Sequence, residues 1–156
     1  MDIGVGQQAN IDWLYYVRSG RAFEGYGNAG AVAAQNALVQ LFNPVGSGVT
    51  VIIRAAQVYS STAQSPAKTR FNTAFATNQS FVINFLNGGA APKAQTRTLN
   101  QAGNNGSATG TFTILASTTF QVWPDWADVL AAGQGAHLYA PVVNTDLAVN
   151  FQWVEF

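Results

Sequence analysis

Residues 146–154, DLAVNFQWV, alternate apolar and polar side chains almost without a break. A period of two puts Leu147, Val149, Phe151 and Trp153 on one face and Ala148, Asn150 and Gln152 on the other, as in a strand with one face in a core. Upstream, residues 37–42 (ALVQLF), 49–60 (VTVIIRAAQVYS), 69–77, 80–86 (SFVINFL), 95–99, 110–115, 118–123 and 135–140 also read as short strands. In 69–77 the period groups Phe71, Thr73 and Phe75, and in 80–86 it predicts a buried face of Phe81, Ile83 and Phe85. Residues 126–131 read as one helical turn or a short strand. Turn signals separate these pieces: Asn43-Pro44-Val45-Gly46-Ser47-Gly48, Asn87-Gly88-Gly89 and Asn104-Asn105-Gly106. About eight strands at spacings of about 8–12 residues predict an all-β fold, a single β-sandwich. The strand count favours a jelly roll over an immunoglobulin-like arrangement. The absence of strongly periodic helices argues against α/β.

Residues 1–36 read differently. Strand alternation is poor there, and Gly20, Gly25, Gly27 and Gly30 break any long helix. The expectation is an N-terminal arm, residues 1–36, ahead of a sandwich domain, residues 37–156. Five large aromatics in the arm, Trp13, Tyr15, Tyr16, Phe23 and Tyr26, are the candidate inter-subunit contacts. Such a segment is expected to lie on its own sandwich or on a neighbour's rather than in water.

Charge narrows the function. Seven Lys/Arg balance seven Asp/Glu, and charged residues make up 9% of the chain, against roughly a quarter in an ordinary soluble domain. Asn, Gln, Ser and Thr fill the polar positions instead. Uncharged amides and hydroxyls cost less to desolvate than ions, which fits a surface that is covered in use. The neutral balance argues against nucleic acid as the main partner. No apolar run approaches the length of a membrane span. Met1-Asp2-Ile3-Gly4 has neither a basic nor a hydrophobic leader segment, so no signal peptide is expected.

Two segments carry a resemblance. Residues 39–51, VQLFNPVGSGVTV, resemble a strand–NPxGSG–strand hairpin of tailed-phage structural proteins. Residues 147–155, LAVNFQWVE, resemble the closing strand of the same proteins, with its aromatic-x-Trp-x-Glu ending. The resemblance covers about a sixth of the chain and implies a virion component, either a head-decoration (cement) protein or a tail- or fibre-associated one. It carries over no functional residues. The expected protein is made in the host cytoplasm, resides in the virion and reinforces a capsid through protein–protein contacts. The expected partners are the major capsid protein and further copies of the chain, with a trimer favoured.

Residues with chemical potential are few. There is no cysteine, so thiolate nucleophiles, disulfides and thiolate metal sites are excluded. His137 is the only histidine, and no G-x-S-x-G nucleophile turn accompanies it. One histidine is also too few for the usual zinc sites. Asp125 and Asp128 stand beside Trp123 and Trp126, a pairing that suggests a sugar site with the two tryptophans as glycan-stacking residues. The simpler reading is a capped turn flanked by buried aromatics. No phosphate-binding GxxxxGK[ST] is present, and the basic residues are scattered. The expectation is a non-enzymatic protein without cofactor or metal. The alternative is a receptor- or carbohydrate-binding module of the phage tail, using Trp123 and Trp126.

Overall fold

The computed structural model describes residues 13–79, 81–106, 108–122 and 128–156. After a short helix over residues 13–18 the chain runs through β1 (Ala22–Ala29), β2 (Asn36–Asn43), β3 (Val51–Ser60), β4 (Ala67–Arg70), β5 (Thr77–Gln79) and β6 (Val82–Asn84). It continues through β7 (Gln95–Gln101), β8 (Ala108–Thr111), β9 (Thr118–Val122), β10 (Asp128–Leu130), β11 (Gln134–Tyr139) and β12 (Leu147–Glu155). These strands form two antiparallel sheets, and the protein is a β-sandwich. One sheet has the order β10-β3-β12-β1-β6, with β9 on the same edge of β3 as β10; the other has the order β5-β7-β2-β11-β4-β8. Among the described residues twelve strands stand where about eight were expected, and with them goes the count on which the preference for a jelly roll rested. The increase comes from β1 in the expected arm, from the break of 69–77 into β4 and β5, and from β10, the short-strand alternative for 126–131.

Between the sheets β12 contributes Leu147, Val149, Phe151 and Trp153, all fully buried, on the face the alternation predicts. Opposite them lie Val39 and Leu41 of β2 and Ala136 and Leu138 of β11. In β3 the inward set shifts phase, from Val51 and Ile53 to Ala56 and Val58. A bulge opposite Gln152–Trp153 accounts for the shift, because one extra residue reverses the faces. Glu155 ends β12 inside the protein. Its carboxylate accepts bonds from the Trp153 indole N–H (3.1 Å) and the backbone N–H groups of Lys93 and Ala94 (3.0 and 2.9 Å). Those donors compensate the burial of a charge.

The expected arm is corrected over residues 22–36. β1 is an inner strand, paired with β12 along its whole length and with β6 on its other side. Two of the glycines that suggested an arm, Gly25 and Gly27, are there for packing. A Cβ on Gly25 would lie 2.8 Å from Thr96 Cγ2 and Trp153 Cη2, and one on Gly27 would lie 2.6 Å from Val39 Cγ1. The two sheets come together over these positions, and only glycine fits.

Two smaller expectations are corrected. The segment around Asn43–Gly48 is not a hairpin, because β2 and β3 belong to different sheets. It is an arch across the sandwich, turned by Gly46 and Gly48 at positive φ (75° and 72°) and anchored by Asn43 Nδ2 on the carbonyls of Val49 and Leu130. In β6 the facing is reversed: Phe81 and Ile83 are 75% and 54% exposed, while Val82 packs on the core. β6 is an edge strand, and its register with β1 sets Ile83 opposite the outward Glu24.

Candidate functional site

The outward faces of the two sheets are built differently. On the sheet containing β2, the outward side chains Leu38 and Gln40 are fully buried beneath the chain's own loops. Gln40 Nε2 donates to the carbonyls of Phe71 and Thr73, and its Oε1 accepts from the Phe75 N–H. That amide fixes residues 71–75 as a flap, so the strand expected over 69–77 ends at Arg70 and resumes at Thr77. Under the flap, in register with Gln40, sits His137, fully buried. The rings of Phe75 and Phe71 pack on it with centroids 5.0 and 6.1 Å away. Its Nε2 is 2.8 Å from Asn104 Oδ1, which assigns the proton to Nε2. Its Nδ1 is buried with no protein partner among the described residues. Burial disfavours the imidazolium and lowers the pKa to about 4. Among the described residues no nucleophile or carboxylate is bonded to this histidine, and its burial is that of a core residue.

Among the described residues, the sheet containing β12 is covered at one end only. There the helix at residues 13–18 lies on it. Trp13 packs edge-on against Phe85 at 5.2 Å and stacks on the Arg54 guanidinium at 4.3 Å. Tyr16 meets Phe156 at 5.2 Å. Toward the other end the face is open. Outward side chains line up across the strands by register: Tyr26, Asn150, Gln57 and Gln121 in one row, and Asn28, Ala148, Tyr59 and Thr119 in the next. A polar chain fixes the floor. Arg54 donates to Gln152 Oε1 (2.9 Å), and Asn150 and Gln152 donate to the two oxygens of Glu24 (2.6 and 3.4 Å). A hollow of about 500 Å3 lies among Glu24, Gly25, Tyr26, Phe81, Ile83 and Asn150.

The five aromatics singled out in the sequence do not form one strip. Phe23 is buried in the core, stacked on Trp153 at 5.9 Å. Trp13 and Tyr16 pack within their own chain, while Tyr15 and Tyr26 are 63% and 42% exposed. Trp123, Trp126 and Asp125 lie outside the described residues. Asp128 pairs with Arg70, which also bonds the Val129 carbonyl, so the two side chains tie an edge of one sheet to the other. Among the described residues no three His, Asp or Glu side chains gather as metal ligands, and no helix is long and apolar enough to cross a membrane. Glu24, Gln57 and Tyr59 escaped the sequence reading. The outward half of the β12 alternation, Asn150 and Gln152, was the signal that pointed to their face.

Comparison with family models, with curated proteins and with solved structures finds no match to the chain in any of the three.

Proposed function

We propose that the chain is a non-catalytic structural protein of a tailed-phage virion, a head-decoration protein that reinforces the capsid by protein–protein contacts and acts as a homo-oligomer, with a trimer favoured. The observation that carries this reading is the pairing of low charge with exposed apolar side chains. Val45 on the arch is 84% exposed, Leu115 67%, Tyr15 63% and Val129 51%, on a chain with seven cations and seven anions. Apolar surface of that kind is stabilised when a partner covers it. The segments that resemble phage structural proteins contribute the β2–β3 arch and the strand β12. The sealed state of His137 supports the non-catalytic part.

The test is co-sedimentation of the purified chain with empty tailed-phage heads, alongside sedimentation of the chain alone. Saturable binding at a fixed ratio to the capsid subunit is the expected result. A chain that stays monomeric at micromolar concentration and binds neither heads nor tails would overturn the reading.

A further inference from the structure

We infer that the open face of the β12 sheet is a binding site for a neutral saccharide, centred on Asn150 and walled by Tyr26 and Tyr59. This goes beyond the assembly reading and does not depend on it. Ala148 is the small residue between Asn28 and Tyr59 in its row. It leaves a trough of about 150 Å3 among Tyr26, Gln57, Tyr59, Thr119, Ala148 and Asn150. On the other side of Tyr26 lies the larger hollow floored by Glu24 and Asn150. Tyr26 and Asn150 line both, so the two hollows form one site with an aromatic ring between them.

The chemistry of the lining selects the ligand. Neither hollow is lined by Lys, Arg or His, so nothing there favours an anion. Tyr26, Tyr59 and Phe81 offer apolar ring surface of the kind that stacks on the C–H face of a pyranose. Between the rings stand amides and one carboxylate, which suit groups that both donate and accept hydrogen bonds. Glu24 is held by two amide donors, and Asn150 Nδ2 is committed to Glu24, leaving Asn150 Oδ1 for a hydroxyl. Gln57, in the next strand and in register, adds a further amide. A wholly apolar partner would desolvate these groups without replacing their hydrogen bonds, whereas sugar hydroxyls replace them. The combined volume falls within the range of small-ligand sites.

The full chain, fluorescently labelled, is tested on an array of neutral oligosaccharides and bacterial surface polysaccharides, with hits titrated by NMR. Gln57 and Tyr59 are exposed, so Gln57→Ala and Tyr59→Ala keep the fold. The expected result is binding of at least one neutral glycan, weakened about tenfold by each substitution. Val45→Ser, at the opposite end of β3, leaves glycan binding unchanged, and head co-sedimentation of Tyr59→Ala is unchanged too. No glycan bound at millimolar concentration, or binding indifferent to both substitutions, overturns the inference. Self-association abolished by Tyr59→Ala without glycan binding also overturns it, and makes this face a contact between copies.

Discussion

The two outward faces of the sandwich start from the same material, antiparallel strands with amide-rich outer rows, and end in opposite states. On one, Gln40 and His137 lie in register and are fully buried, because residues 71–75 fold down and bond to the Gln40 amide. On the other, Asn150 and Gln57 lie in register, half-buried and exposed, and no described segment covers them. A polar row under a flap is structural: the chain itself supplies its partners, His137 Nδ1 apart, and a change there is felt as stability. A polar row left open keeps groups such as Asn150 Oδ1 for partners from outside, and a change there is felt as binding. The comparison predicts where substitutions will cost folding and where they will not.

The largest effect is expected at the flap. Phe75 is 2% exposed and packs on His137. Removing a buried phenyl ring typically costs about 3–5 kcal/mol, so Phe75→Ala should lower the urea midpoint steeply. A loss under about 1 kcal/mol would mean that the flap is a loose cover and that the two faces differ less than their burial indicates.

Acid should act on the same face with a slightly smaller effect. Burial holds His137 at a pKa of about 4, below its ordinary 6.5. Below pH 6.5 the unfolded chain therefore binds a proton that the folded chain does not. Stability is complete above that pH, falls as pH drops toward 4, and changes no further from this group below it. The full span is on the order of 3 kcal/mol. Denaturation midpoints between pH 7 and 4.5 should show the decline, and His137→Gln should flatten it. A slope unaffected by that substitution would show that His137 does not set the acid sensitivity.

The inner face explains what could be read from the sequence and what could not. β12 was legible in full because a central strand with large inward residues writes its period plainly. β2, β3 and β11 were legible as apolar runs between turn signals, and β7 only as a short strand at 95–99. β1, its neighbour over eight residue pairs, was not. Its inward positions are Phe23, Gly25, Gly27 and Ala29, and the glycines exist because Trp153, Thr96 and Val39 occupy the space their side chains would fill. That cause lies in other strands, so the local sequence suggested an arm. The open site was hidden likewise: Glu24, Tyr26, Gln57 and Asn150 meet only through long-range register, and no spacing along the chain records it. Gly27→Ala probes the point directly. With a Cβ 2.6 Å from Val39 Cγ1, overpacking should cost about 1–3 kcal/mol. Val39→Ala in the same chain should recover part of that loss. A neutral Gly27→Ala would show that the sheets have slack there.

The smallest effect belongs to the open face, and it tests the comparison most directly. Gln57 and Tyr59 occupy outward positions of β3, a strand whose hold on the sheet comes from its inward Val51, Ile53, Ala56 and Val58 and from pairing on both edges. Neither side chain completes a buried polar network, so truncation leaves no orphaned donor or acceptor in the interior. Gln57→Ala and Tyr59→Ala should therefore each change stability by less than about 1 kcal/mol, chiefly through strand propensity. The measurement is the same urea titration used for Phe75→Ala, at about pH 8, where His137 is uncharged in both states. If Tyr59→Ala instead cost as much as Phe75→Ala, the ring would be a structural cover like the flap. The contrast between a face sealed for stability and a face kept open for a ligand would then collapse.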